Sequence, residues 1–255
     1  MKEDLIALQA IIRKEIIRIF RIWIQTMVPP VITISLYFII FGNFIGSKIG
    51  EMGGFHYMAY ISPGLIMMSI ITNSYTNTVS SFFSSKFQRS IEELLVSPIS
   101  NWVIVLGYVA GGMARGLSVG TLVSCVSLLF IREPLYNVFY VIAFAFLTSF
   151  VFSMAGLING IFAKKFDDIS IIPMFVITPL TYLGGIFYSI SLLPGFWQVL
   201  SKANPIVYMI NGFRYGFLGV SDISVGVGLG MLFLFAILLF ATSLYLLRKG
   251  TGIRT

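Results

Sequence analysis

Runs of apolar residues, separated by short polar connections, organise the whole chain. Six of them, at roughly 22–45, 58–83, 103–131, 136–163, 171–191 and 223–247, are each about as long as the ~20 residues needed to cross a bilayer. Hydrocarbon offers no partner for a free backbone group, so each crossing must be a helix. The pattern therefore predicts an all-α membrane protein with six transmembrane helices. A further apolar stretch, 192–218, is broken by Pro194-Gly195 and Asn204-Pro205. It predicts two short re-entrant helices that dip into the outer leaflet and return before the last span. Phe196, Trp197, Tyr208, Tyr215 and Phe217 there suit an interfacial aromatic belt. Ahead of the first span, residues 3–23 have helical periodicity. Leu5, Leu8, Ile12, Ile16, Ile19 and Trp23 share one face, and Lys14, Arg18 and Arg21 lie opposite. A basic face backed by an apolar one predicts an amphipathic helix in the membrane interface, with packing on protein as the plainer alternative. The domains are then 1–21, the amphipathic helix, and 22–251, the transmembrane domain.

Charge fixes the orientation. With the N-terminus in the cytoplasm, Lys2, Arg13, Lys14, Arg18, Arg21, Lys86, Arg89, Lys164, Lys165, Arg248, Lys249 and Arg254 fall inside. Lys48, Arg132, Lys202 and Arg214 fall outside. The inverted topology would reverse the positive-inside rule. Counting 192–218 as a seventh span would put Arg248 and Lys249 outside, which favours the even number and both termini in the cytoplasm. Composition agrees: 57% of residues are hydrophobic, 11% are charged, and the mean hydropathy is +0.94, against about 25% charged in soluble domains. The net charge of +7 sits at the ends of apolar segments and does not point to nucleic acid. The first apolar run holds Pro29-Pro30 and lacks a small-residue cleavage site, so it is expected to stay as a span and not be removed as a signal peptide.

Candidate chemistry is sparse. The second span is the most polar: Ser69, Asn73, Thr76, Ser80 and Ser84 lie within about 80° of one another on a helix, flanked by Asn77 and Ser81. Such a stripe either lines a translocation path or bonds across to another helix. Gly112, Gly116, Gly120 and Ser124 in the third span, and Ser149, Ser153, Gly156 and Gly160 in the fourth, read as close-packing faces. Arg115 stands near the middle of the third span, where an arginine must face protein or a cavity. Glu92, Glu93, Asp167 and Asp168 are its candidate partners, and a structural pair and a role in coupling remain equally open. In the connection at 84–101, residues 90–95 read as a short helix ended by Ser97-Pro98. No phosphate-binding G-x-x-x-x-G-K-[ST] loop occurs. The single His56 and single Cys125 offer no metal or nucleophile cluster. Enzyme chemistry, a bound cofactor and a metal are not expected of this chain.

Several segments together resemble a known family. Asn204-Pro205-Ile206-Val207-Tyr208, followed by Gly212-Phe213-Arg214, is similar to the N-P-x-x-Y…R motif near the last span of ABC-2 type transporter permeases. Glu92-Glu93-Leu94-Leu95-Val96-Ser97-Pro98 resembles their E-x-L-L-x-[ST]-P coupling segment. Pro63-Gly64-Leu65 and 183–188, LGGIFY, also fit, and the likeness runs over essentially the whole chain. The resemblance implies the permease subunit of an ATP-binding-cassette exporter in the bacterial inner membrane. It implies a permease homodimer on two copies of a cytoplasmic ATPase, which holds the ATP and Mg. It makes Glu92, Glu93, Leu94, Leu95, Ser97 and Pro98 the coupling element. A path past Ser69, Asn73, Thr76 and Ser80 and an outer gate of Asn204, Pro205, Tyr208 and Arg214 follow from it. Family likeness carries no cargo with it; the neutral stripe and high aromatic content suit an amphipathic or glycan- or lipid-like one. A secondary carrier working without ATP and a non-transporting scaffold are the rival readings. Both are disfavoured here, the carrier because no carboxylate lies mid-membrane and no inverted repeat is visible.

Overall fold

A computed structural model of the protein describes residues 2–131 and 134–252, with the side chains of Asn43, Phe44 and Ser47 left aside. Arg132 and Arg254, both used for the orientation, lie outside the described residues.

The fold is a helical bundle. Helix α1 (Lys2–Arg21) turns at Ile22 into α2 (Trp23–Tyr37), which runs on through a π-helical stretch, Phe38–Ile45, into α3 (Gly46–Ile49). A small hairpin follows, β1 (Glu51–Met52) on β2 (Phe55–His56), with Glu51 opposite His56 and Met52 opposite Phe55. Its turn is Gly53-Gly54, with φ of 62° and 82°, the left-handed pair that a two-residue hairpin loop needs. Then come α4 (Tyr57–Phe87), α5 (Ser90–Val96), α6 (Asn101–Phe130) and α7 (Val138–Phe162). A 15-residue helix, Asp168–Tyr182, is built from α8 (Asp168–Ile172), a π turn and α9 (Thr178–Tyr182). Two short helices, α10 (Gly195–Ala203) and α11 (Pro205–Leu218), precede α12 (Val225–Lys249).

Among the described residues four helices are long and apolar enough to cross a membrane: Trp23–Gly42, α6, α7 and α12. They carry the first, third, fourth and sixth apolar runs. The second run forms α4, 31 residues long but too polar to meet the same hydropathy standard. The fifth, expected over 171–191, forms a helix only to Tyr182, because Gly184 and Gly185 follow and Gly185 takes φ 76°. Local chemistry sets the other ends. The Asn137 side chain accepts from the amides of Phe139 and Tyr140 and caps α7. Asn204 accepts from Ile206 N at 3.0 Å, with Pro205 in the first helical position, so the same two residues end α10 and start α11. Gly219 and Gly250, at φ 76° and 67°, close α11 and α12.

Helix α4 is the centre. It packs against α6 and α7 along its length and meets α11. Lipid tails are as apolar as leucine, so helices in a membrane associate by close approach and hydrogen bonds. Both operate here. A Cβ on Gly112 would sit 2.8 Å from the Ser74 carbonyl oxygen, and one on Gly156 2.6 Å from that of Tyr75. Gly116 faces Ser74, Gly120 faces Ile70, and Ser74 and Ser149 share a hydrogen bond of 2.8 Å. The small-residue stripes expected in the third and fourth spans are thus the seams on which α6 and α7 meet α4.

Candidate functional site

From Tyr57 to Ser85 every residue is buried except Met68, Thr72, Thr76, Ser80 and Ser84. These recur at four-residue spacing, so they form one narrow open row on an otherwise enclosed helix. Two of its hydroxyls donate to their own helix, Thr76 to the Thr72 carbonyl at 2.7 Å and Ser80 to the Asn77 carbonyl at 3.1 Å. That leaves oxygen lone pairs facing the opening. Ser69 and Asn73, from the predicted stripe, lie at the edge of the row and are buried. Asn73 donates to the Ser69 carbonyl at 3.0 Å.

The row is the floor of a cleft. One cavity, of about 320 Å³, lies between α4 and α2 and is lined by Thr26, Pro30, Tyr37, Ser69, Thr72, Asn73 and Thr76 among others. A second, of about 510 Å³, lies between α4 and the 168–182 helix, bounded by Val79, Ser80, Ser170, Pro173 and Met174. Thr76 and Arg115 line both. Arg115 therefore faces the predicted polar stripe. None of Glu92, Glu93, Asp167 and Asp168 pairs with it; among the described residues it has no ion pair and no hydrogen bond, and its buried Nε lacks a partner. Those carboxylates belong to the connecting turns, where Asp168 accepts from the amides of Lys164 and Lys165 at 2.8 and 3.0 Å. Arg115 sits fourteen residues into α6, ~21 Å along it. An arginine at that depth costs at least ~2.5 kcal/mol on insertion scales unless compensated.

Helix α1 meets this region from behind. Its buried stripe is Ile11, Glu15 and Ile19, while Leu5, Ile6, Phe20 and Trp23 stay exposed. Of the predicted apolar face, Leu5, Ile16 and Trp23 look away from protein, while Ile19 is buried and Leu8 packs on the core, so α1 docks along one edge of that face. Lys14 and Arg18 lie on the docked side: Lys14 donates to Ser85 at 3.3 Å and Arg18 to Asn77 Oδ1 at 2.9 Å. Glu15 is fully buried. It accepts from Ser81 Oγ at 2.6 Å and lies 3.2 Å from Arg18 Nη2, and Gly111 of α6 leaves it room. Nothing in the pattern of polarity marks Glu15 as buried; only the glycine spacing of α6, Gly107 and Gly111, hints at a helix crossing there.

At the end of α4, Arg89 adopts φ 60° and turns the chain into α5. Ile91 is buried, and Glu92, Glu93, Val96 and Pro98 are exposed. Ser97, in extended conformation before Pro98, ends the helix where expected, its hydroxyl donating to the Leu94 carbonyl at 2.6 Å. Leu94 and Leu95 pack inward on the core around Ile11 and Tyr108. Asp4 accepts from the Ser100 amide at 3.1 Å, tying the start of α1 to the same end of the bundle.

At the opposite end Arg214 is fully buried instead of lying on a surface. Its guanidinium donates to the Tyr60 carbonyl at 3.3 Å, to Tyr60 Oη at 3.1 Å and to the Gly185 carbonyl at 2.6 Å, and lies 4.1 Å from the Tyr60 ring centroid. Tyr57 Oη donates to the Phe187 carbonyl at 3.1 Å. Residues 184–187 are thereby pinned onto α4. Asn204 Nδ2 donates to the Leu180 carbonyl at 2.6 Å, and Tyr208 Oη to the Lys202 carbonyl at 2.9 Å. Arg214 thus holds the 183–194 loop, to which Asp222 adds bonds from Ser189 Oγ and Ile190 N at 2.6 and 2.9 Å, whereas Asn204 and Tyr208 bond outside it.

Comparison with known proteins agrees in family and extent. The profile of the ABC-2 type transporter family matches residues 6–218. The chain is 58% identical over 250 residues, 98% of each chain, to the inner membrane transport permease YadH of Escherichia coli K12. It is 26% identical over 215 residues, 84% of this chain and 82% of the other, to nodulation protein J of Rhizobium meliloti.

Proposed function

The chain belongs to the ABC-2 type transporter family and is a multi-pass inner-membrane protein, and on that premise we propose that it is the membrane-spanning permease subunit of an ATP-binding-cassette exporter for an amphipathic cargo. The observation that carries this reading is the open row on α4. A helix shielded by protein on every other side presents one strip of hydroxyls to a cleft. A polar strip of that kind is what a moving polar group needs across hydrocarbon. Two copies of the permease would face one another across the cleft, so that the path lies between protomers.

The reading counts six crossings with both termini in the cytoplasm. α4, ~46 Å long at the helical rise, is the second; its polarity is tolerable because protein surrounds it. The helix Asp168–Tyr182 spans only ~22 Å, short of the ~30 Å core. The pinned loop after it completes the fifth crossing. Irregular backbone at that depth requires protein partners for its carbonyls, which Arg214 and Tyr57 supply. α10 and α11 form the re-entrant pair, and Asn204, Pro205, Tyr208 and Arg214 the outer gate.

ATP binding would draw two cytoplasmic ATPase subunits together. The exposed Glu92, Glu93 and Val96 of α5 would take up that motion, and the left-handed turn at Arg89 would pass it to α4. Buried Glu15 ties α1 to the same helix, so both elements would move with it. The test is copurification with a separately encoded ATPase, followed by the paired substitution Glu92→Ala, Glu93→Ala. Hydrolysis should persist while its dependence on the permease and any transport are lost. If permease-stimulated hydrolysis and transport both survive unchanged, α5 is not the coupling element.

A further inference from the structure

The charge of the cleft names a class of cargo. Resting on the reading of this cleft as the transport path, we infer that Arg115 is a binding site for an oxyanion, a phosphate or carboxylate, carried by an amphiphilic cargo. Among the described residues Arg115 is the only charged side chain lining either cavity of the cleft, and it lines both. Every other polar group there is a neutral hydroxyl or amide. Among the described residues no carboxylate pairs with it. Glu15, the buried carboxylate of α1, is committed to Arg18 and Ser81, so among the described residues the charge on Arg115 has no counter-charge. Its Nε is buried without a hydrogen-bond acceptor.

A guanidinium in that state is a fork without its anion. Its paired N–H groups match two oxygens of a phosphate or carboxylate. Thr76 can rotate its hydroxyl from the Thr72 carbonyl to a third oxygen, and Thr72 lines the same cavity. The wall from α2 sets Pro29, Pro30 and Ile34 among neutral polar side chains such as Gln25 and Thr33, which suits an aliphatic portion beside the charged head. A neutral or cationic cargo would leave the guanidinium unmatched or repel it.

The test uses the purified permease, with whatever ATPase accompanies it, in a zwitterionic detergent. Binding of dioctanoyl phosphatidate is compared with that of dioctanoylglycerol, which shares the chains and lacks the phosphate, and with competition by inorganic phosphate. The wild-type protein should bind the phosphatidate at least about tenfold more tightly. Arg115→Gln should bring the two lipids to equal affinity, and Arg13→Gln, on the exposed face of α1, should leave the preference intact. Equal affinity in the wild type, or an undiminished preference in Arg115→Gln, would overturn the assignment. Displacement of the lipid by inorganic phosphate at equal concentration would overturn the amphiphile half of it. Should Arg115→Gln not purify as a single species, Arg115→Lys serves, with severalfold weaker phosphatidate binding expected and unchanged binding counting against the fork. Copurification of an ATPase is scored separately. A headgroup preference without an ATPase would sink the exporter reading alone, and an ATPase without the preference would sink this one alone.

Discussion

Replacing Glu15 by alanine should loosen the whole α1 side of the bundle. The carboxylate is fully buried, accepts from Ser81 at 2.6 Å and faces Arg18 at 3.2 Å. Losing a hydrogen bond to a charged acceptor costs about 1.5–3 kcal/mol. Arg18 adds less. Its side chain is 29% exposed and keeps Asn77 Oδ1 at 2.9 Å, so its share stays within the ~1 kcal/mol of a solvent-screened pair. The total, about 2–4 kcal/mol, falls at or below the ~3–5 kcal/mol for breaking a fully buried pair. Equilibrium unfolding in SDS mixed micelles measures it. A double-mutant cycle with Ser81→Ala isolates the pair, with about 1–2 kcal/mol of coupling expected. Glu15→Gln should lose less than alanine, since its amide oxygen can still accept from Ser81. A loss under ~0.5 kcal/mol for Glu15→Ala, with no coupling to Ser81, would refute the reasoning and make the buried pair incidental.

The other expectations concern seams, gate and turn. Gly112→Leu and Gly156→Leu push side chains into the Ser74 and Tyr75 backbone carbonyls of α4, which cannot yield as a side chain can. Each should cost at least the ~1–3 kcal/mol of overpacking, seen as lost monodisperse yield, whereas Gly230→Leu, at an open position of α12, should purify normally. Arg214→Lys replaces a fork by a point charge and cannot serve Tyr60 and Gly185 together. It should lose about 2 kcal/mol and raise hydrogen exchange across 183–194 before the rest of the bundle; exchange confined elsewhere would show that Arg214 does not pin that loop. The amides of Lys164 and Lys165 hold the Asp168 carboxyl below the usual carboxylate range. A depressed pKa stabilises the folded turn above the ordinary value of ~4, and that stabilisation disappears as pH falls through the depressed pKa. Amide protection at 164–168, corrected for intrinsic rates, should follow that curve in wild type and lose that pH dependence in Asp168→Asn, whose amide oxygen accepts without titrating.

Hydropathy made α6, α7 and α12 legible, because a helix facing lipid on one side must be apolar there. It is a poor guide to α4, whose polarity is hidden among neighbours and whose open row emerges only once Ser69 and Asn73 are seen to be covered and Thr72 uncovered. The end of the fifth apolar run at Tyr182 was illegible for a related reason. Residues 183–191 are as apolar as the helix before them; Gly184-Gly185 permits the break, and what holds the chain out of helical form there is an arginine 29 residues downstream that takes the Gly185 carbonyl. The caps were plain: Asn204-Pro205 and Ser97-Pro98 act through their own neighbours, so local sequence suffices. Arg115 stands out in the sequence, but none of the carboxylates of the connecting segments, Glu92, Glu93, Asp167 and Asp168, pairs with it in the fold. The Gly53-Gly54 hairpin carried a recognisable turn signal beside strands too short to register as alternation.

Nucleotide-dependent accessibility of the α4 row bears most directly on the central claim. With the exposed Cys125 replaced by serine, single cysteines at Thr72, Thr76 and Ser80 would be probed with a membrane-impermeant thiol reagent, in the permease reconstituted with its ATPase. Labelling at all three should change between the nucleotide-free complex and one trapped with ATP and vanadate, while cysteines at buried Ser74 and Thr78 stay unlabelled in both. Labelling of the open row that is the same in the two states would contradict an ATP-driven path along α4.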